Sequence, residues 1–127
     1  MRNPADLYRR QAVFTAPLHV QLAQMHQLGA QMTKQIAEFV DSGEIEQARG
    51  NIRHLQDMIT FLRSSLDMDL EVSQSTNATY AFYYQVLVRW YVDPKSYPTE
   101  IDALVTFWES WAETWRKVPS ANLFQDS

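Results

Sequence analysis

Apolar residues recur along three stretches of the chain at alternating spacings of three and four, which is the period of one face of an α-helix. The first stripe consists of Leu18, Leu22, Met25, Gly29, Met32, Ile36 and Phe39. The second stripe consists of Ile45, Ala48, Ile52, Leu55, Ile59, Leu62 and Leu66. The third stripe consists of Ile101, Leu104, Trp108, Trp111, Trp115 and Val118. The pattern predicts long amphipathic helices with these residues, the methionines and tryptophans included, in a shared core.

Polar residues mark the ends of the first two helices. Thr15 is a suitable N-cap and Pro17 suits the first turn, so the first helix is predicted to run from there to about Val40. Asp41 followed by Glu44 resembles a capping box that opens the second helix. A connection this short requires the two helices to be antiparallel.

The third helix is predicted from about Asn77 to Val92, after a polar loop. It is apolar nearly all round, which is typical of a helix that is sandwiched in a bundle or covered by something outside it. Two prolines break the chain after it, and Thr99 with Asp102 is predicted to cap a fourth helix that ends at Pro119.

These elements predict an all-α fold, an antiparallel up-and-down four-helix bundle. We expect an amino-terminal arm or short helix over residues 1–14, a bundle domain over 15–119 and a polar tail over 120–127. The opening residues lack the apolar run of a secretory signal, and no segment is long and apolar enough to span a membrane. The sequence therefore predicts a soluble protein that is not secreted.

Composition narrows the function. The formal net charge is -4, and phosphate binding relies on clustered Lys and Arg, so a nucleic-acid partner is not expected. The absence of cysteine excludes disulfides and thiolate metal sites and fits a reducing cytoplasm. At 13% the aromatic content is high, and a core alone does not obviously account for it.

Candidate chemistry is sparse. His19 and His26 lie two helical turns apart and His54 is isolated, so all three are expected to be surface or boundary residues. No Glu lies three residues before a His, which excludes the di-iron bundle pattern, and no glycine-rich phosphate loop occurs. The sequence predicts no catalytic site, no metal site and no cofactor.

Apolar side chains outside the three stripes are too many to bury easily in one four-helix bundle. Some of them are therefore predicted to line a groove for an amphipathic partner helix, as Tyr and Met side chains suit such a surface. The predicted groove residues are Met58, Phe61, Tyr80, Phe82, Tyr83, Leu87, Trp90 and Phe107. The alternative is a non-enzymatic helical scaffold that homodimerises through the same surface or binds a different helical client.

The order and spacing of several segments resemble the flagellin-specific export chaperones, the FliS family. The second helix carries the family's pattern at Asn51, Ile52, Arg53, Gln56, Asp57, Met58, Ile59, Leu62, Leu66 and Asp67. Further agreement lies at Ala5, Tyr8, Val13, Thr15, Ala16 and Pro17, at Met25, Gly29 and Ala30, at Asn77, Phe82 and Tyr84, and from Ala112 through Trp115 to Pro119. Departures at Gln27, Leu28, Glu71, Val72, Ser73, Leu87 and Val88 indicate a divergent member.

The resemblance implies a non-enzymatic cytoplasmic four-helix chaperone. Its client would be the carboxy-terminal segment of flagellin, kept from polymerising early and delivered to the flagellar type III export gate. Tyr8 matches the family's amino-terminal tyrosine, which is implicated in partner contacts. We expect Leu7, Tyr8 and Val13 to form an arm that covers part of the groove when no client is bound.

Overall fold

A computed structural model describes residues 18–117, which form an antiparallel four-helix bundle. The helices are α1 (Leu18–Asp41), α2 (Ile45–Ser65), α3 (Glu71–Val92) and α4 (Ile101–Lys117), with a 3-10 helix over Pro94–Thr99. Helix α1 packs against α2 and α4, and α2 packs against α3. The all-α fold predicted from the stripes is confirmed. The expected arm, the Thr15 cap, the fourth helix's end at Pro119 and the polar tail lie outside the described residues.

The residues that the periodicity selected contribute much of the core, together with off-stripe residues such as Met58, Tyr80 and Trp90. Every stripe residue that the structure describes is buried or half-buried. Gly29 lets α1 approach α4 closely, because a Cβ atom there would lie 2.5 Å from Cδ2 of Trp108. The indole ring of Trp108 therefore lies directly against the backbone of α1.

The turn between α1 and α2 differs from the predicted capping box. Glu44 is the N-cap of α2 and makes no side-chain cap hydrogen bond. Gly43 adopts a positive φ of 77°, and the amide of Glu44 donates to the Phe39 carbonyl at 2.7 Å. Asp41 is the last residue of α1, and its carboxylate accepts a 2.7 Å hydrogen bond from the Tyr97 hydroxyl. The capping box was wrong because Asp41 still belongs to α1 and lies three residues before the N-cap of α2, so its carboxylate is not at the capping position.

Helix α3 begins at Glu71, six residues before the predicted start at Asn77. The polar residues that suggested a loop are accommodated in its first turns. Ser75 and Thr76 both donate their hydroxyls to the Val72 carbonyl, at 3.1 and 2.8 Å. Hydroxyl groups that donate to the preceding turn in this way leave the helix intact. The Ser and Thr residues therefore predicted a loop where the chain is helical.

The 3-10 helix joins α3 to α4 and is anchored at the end of the bundle. The carbonyl of Glu100 accepts the first backbone bond of α4, from Leu104 at 2.9 Å, so Glu100 and not Thr99 is its N-cap. The carboxylate of Glu100 also pairs with Arg89 and accepts a 3.4 Å hydrogen bond from Trp90 Nε1. These contacts hold the end of α3 against the start of α4.

No helix within residues 18–117 is long and apolar enough to cross a bilayer.

Candidate functional site

Aromatic rings fill the space between α3 and α4, whose backbones make few close approaches. The Tyr83 ring lies 4.6 Å from Phe107, and Tyr80 meets Phe107 edge-on at 5.5 Å. Tyr80 also stacks on Trp111 at 6.4 Å. Ring contacts of this kind stabilise a packed cluster beyond their buried area. We call this continuous set the aromatic ladder; it consists of Phe82, Tyr83, Phe107, Tyr80, Trp111 and Trp115.

The ladder reaches the surface at one end. Phe82 is 59% exposed and rests edge-on against Tyr83 at 5.1 Å. Tyr83 and Trp111 are half-buried. Partial burial raises the pKa of the Tyr83 hydroxyl above its ordinary value. Exposed rings backed by a rigid aromatic cluster offer apolar contact area that is already ordered, as helix-binding grooves do.

Most of the predicted groove residues lie in the core. Tyr80, Leu87 and Trp90 are fully buried, and Met58 and Phe107 are nearly so. These residues are not accessible to a partner in this conformation. One side of α3 packs against α2 and another faces the ring-filled space between α3 and α4, so apolar residues are buried on both sides. The predicted residues that reach the surface are Phe61, Phe82 and Tyr83, and Phe61 belongs to α2.

His26 lies at the centre of the bundle, so the expectation of a surface or boundary position was wrong for it. Its Nδ1 lies 2.7 Å from the Leu22 carbonyl oxygen, which accepts only if this nitrogen carries the proton. Its Nε2 lies 2.8 Å from the Tyr80 hydroxyl and therefore accepts the tyrosine proton. Burial lowers the pKa of His26 from 6.5 to about 4, although the bond to Leu22 raises it slightly. The imidazole is neutral and joins α1 to α3.

Sequence reasoning missed His26 and the partial exposure of Trp111. The signal for His26 was present, since it lies four residues after Leu22 and three before Gly29 and so belongs to the apolar stripe of α1. Trp111 lay on the stripe of α4 and was assigned wholly to the core. Its exposed edge depends on how far α3 stands from α4, which no local pattern specifies.

The surface between α1 and α4 carries a polar groove of about 360 Å³. Ion pairs and hydrogen bonds cross it, from Lys34 to Glu109 at 3.4 Å and from Arg116 to Gln27 at 2.9 Å. These contacts link the two helices and leave the aromatic ladder as the stronger candidate site. Within the described part of the chain, no group of three His, Cys, Asp or Glu side chains is placed to hold a metal ion.

Comparison with known proteins gives one family. A family model described as "Flagellar protein FliS" matches residues 1–122. No curated protein matches the chain. The match extends over the whole bundle, including the helices that form the ladder.

Proposed function

Because this chain belongs to the family of the flagellar protein FliS, a family of flagellar export chaperones, we propose that it binds the carboxy-terminal segment of flagellin in the cytoplasm. Binding prevents premature polymerisation of the client and assists its delivery to the flagellar type III export gate. The observation that carries the proposal is the family match over residues 1–122. The exposed end of the aromatic ladder supplies a surface suited to such a client.

The proposed contact surface consists of the ladder residues that are at least partly exposed, Phe82, Tyr83 and Trp111. A client segment that is disordered alone would lay the apolar face of a helix across these rings. Ordering such a segment costs about 2–5 kcal/mol. A ring of 150–250 Å² that passes from full exposure to full burial contributes roughly 4–6 kcal/mol before such costs, at about 25 cal/mol per Å², and a partly exposed ring contributes correspondingly less. A few partly exposed rings therefore offset the ordering cost.

The buried members of the predicted groove support this surface from below. Tyr80 and Phe107 hold Tyr83 and Trp111 through ring contacts. Phe61, which is half-buried on α2, remains a proposed outer contact for a client that extends round α3. A rigid backing lowers the entropy cost of binding because the contact rings are already ordered.

Replacing Tyr83 with serine should weaken binding of a flagellin carboxy-terminal peptide by about 10–100-fold. This corresponds to the roughly 1–3 kcal/mol typical of an aromatic contact residue. The matched control is Tyr84→Ser, since Tyr84 is the neighbouring half-buried tyrosine and has no ring contact with Phe107 among the described contacts. Titration calorimetry on the two full-length variants measures the difference. Equal affinities for Y83S and Y84S would exclude the ladder as the client site.

The amino-terminal arm with Leu7, Tyr8 and Val13 is proposed to cover part of this surface until a client arrives. Deleting residues 1–14 should leave helical circular dichroism unchanged while altering client affinity or export. A second variant, Leu7→Ser with Val13→Ser in the full-length chain, removes the apolar contacts of the arm without shortening the chain and should have the same effect. Binding and export that match the full-length chain in both variants would rule out the cover.

A further inference from the structure

The polar groove between α1 and α4 continues into an apolar groove of about 460 Å³. This second groove lies between the second half of α1, the 3-10 helix and the start of α4. Lys34 lines both grooves, so they form one continuous surface feature, which we call the outer groove. The apolar part of the outer groove has a floor of half-buried residues, Ala37, Tyr97, Ile101 and Val105.

The two parts of the outer groove differ in the chemistry that they offer. Near the end of α4, Gln31 is exposed and Arg116 donates a 2.9 Å hydrogen bond to Gln27, so amide and guanidinium groups line the surface. Such groups can bond to the backbone of an extended segment. Near the start of α4 the surface is apolar, and the Tyr97 ring is fixed there by a 2.7 Å hydrogen bond from its hydroxyl to Asp41. A segment that fits the outer groove is therefore polar in its first half and apolar in its second.

The sequence that follows α4 has this order of polar and apolar residues. Pro119 cannot continue a helix, which favours a change of direction there. Residues 120–122 are small or polar, and the apolar pair Leu123 and Phe124 follows them. A chain that turns back at Pro119 and runs antiparallel to α4 would place residues 120–122 in the polar part and the apolar pair in the apolar part.

The length of this segment suits the length of the outer groove. Val105 lies twelve residues before Lys117 in α4, which is about 18 Å along the helix axis at about 1.5 Å per residue. The seven residues from Lys117 to Phe124 span up to about 23 Å when they are extended. The difference of about 5 Å is available for the reversal of the chain. Phe124 can therefore reach the apolar part of the outer groove.

We propose that residues 118–127 fold back and dock in the outer groove, with Leu123 and Phe124 packed against Ile101 and Val105. Burial of the apolar pair stabilises the docked segment, and a cleft of this size accommodates large side chains. The docked segment straps the start of α4 to the second half of α1. Because the outer groove is lined by α1, α4 and the 3-10 helix, docking leaves Phe82 uncovered.

The test is disulfide trapping in the full-length chain, whose sequence contains no cysteine. Gln125→Cys is combined with Asp102→Cys or with Thr106→Cys, which are exposed positions one turn apart on the rim of the apolar part. At least one rim pair should form an intramolecular disulfide on mild oxidation, since docking brings the Cα atoms within bridging distance. The control is Gln125→Cys with Thr60→Cys, because Thr60 is exposed on α2. Intact mass and non-reducing electrophoresis should show at least fivefold more closure in the rim pair.

Urea unfolding provides a second, independent measurement. Phe124→Ala should raise the equilibrium constant for unfolding about tenfold, because the burial of a docked ring is lost. Gln125→Ala is the matched control and should leave the constant unchanged. In a Val105→Asp background, whose carboxylate disrupts the apolar floor, F124A should have little further effect, since residues in contact are not additive.

Equal disulfide formation in the rim pairs and the control pair would overturn the strap, and so would disulfide-linked dimers as the main product. An F124A variant as stable as Q125A would also overturn it and would assign the apolar part to another occupant, such as residues 1–14. None of these measurements includes flagellin. Failure of the strap therefore leaves the proposed function standing, and failure of client binding leaves the strap standing.

Discussion

Gly29→Ala should destabilise the bundle by about 3 kcal/mol, the upper part of the range for overpacked cores. The new Cβ would lie 2.5, 2.7 and 2.8 Å from three ring atoms of Trp108. The ring is fully buried between helices and cannot move aside without disturbing its neighbours, among them Phe107 at 5.2 Å. Urea unfolding followed by circular dichroism measures the loss, and Tm should fall by more than about 10 °C.

Gly50→Ala is the matched control. Gly50 lies in α2, is exposed, and a Cβ there would meet nothing within 4 Å. Alanine should therefore stabilise the protein by about 0.5–1 kcal/mol, because glycine is a poor helix former. Leucine at position 108 removes the ring that the new Cβ would meet. G29A should therefore cost less stability in the Trp108→Leu background than it costs in the wild type. If G29A proves as stable as G50A, the close approach of α1 to Trp108 is wrong.

Acidification should remove about 3 kcal/mol of stability through His26 alone. Its pKa is lowered to about 4 in the folded chain, against 6.5 when unfolded, so the unfolded chain takes up the proton first as pH falls. The stability that neutral His26 contributes is fully present above pH 6.5. It declines as the pH falls from 6.5 to 4 and changes no further below pH 4. The groups facing the imidazole are the Leu22 carbonyl, the Tyr80 hydroxyl and the rings of Trp108 and Trp111.

Comparison with His26→Leu/Tyr80→Phe isolates this effect from the titration of carboxylates. Replacing both partners with apolar groups leaves no buried hydroxyl unpaired, so the double variant should remain folded. Its free energy of unfolding should fall less than that of the wild type between pH 6.5 and 4, by the same ~3 kcal/mol. His54→Gln keeps the His26–Tyr80 pair and should follow the wild type. Parallel curves for the wild type and the double variant would show that His26 is not buried as a neutral side chain.

The polar signals along the chain were less reliable than the apolar ones. Ser75 and Thr76 suggested a loop but lie inside α3, where their hydroxyls bond to the preceding turn. Asp41 suggested a cap for α2 but bonds instead to Tyr97, more than fifty residues further along the chain. Short polar side chains can satisfy several alternative partners, and the tertiary structure selects among them.

The sequence predicted an apolar surface on α3 but not which of its apolar residues are exposed. The surplus of apolar residues drew attention to α3, and Phe82 and Tyr83 on that helix do reach the surface. Trp90 and Leu87 came from the same surplus and are fully buried. A helix that is apolar all round carries no periodicity that separates its core side from its exposed side.

The sequence by itself determined the all-α class, the stripes of α1, α2 and α4, and the family, because each depends on residue types at fixed spacings along the chain. The tertiary structure alone decided which rings of α3 are exposed and that His26 meets Tyr80. It also decided that Gly29 is the point where α1 meets the Trp108 ring. These features depend on distances between helices, and those distances follow from how all the side chains pack together rather than from any local pattern.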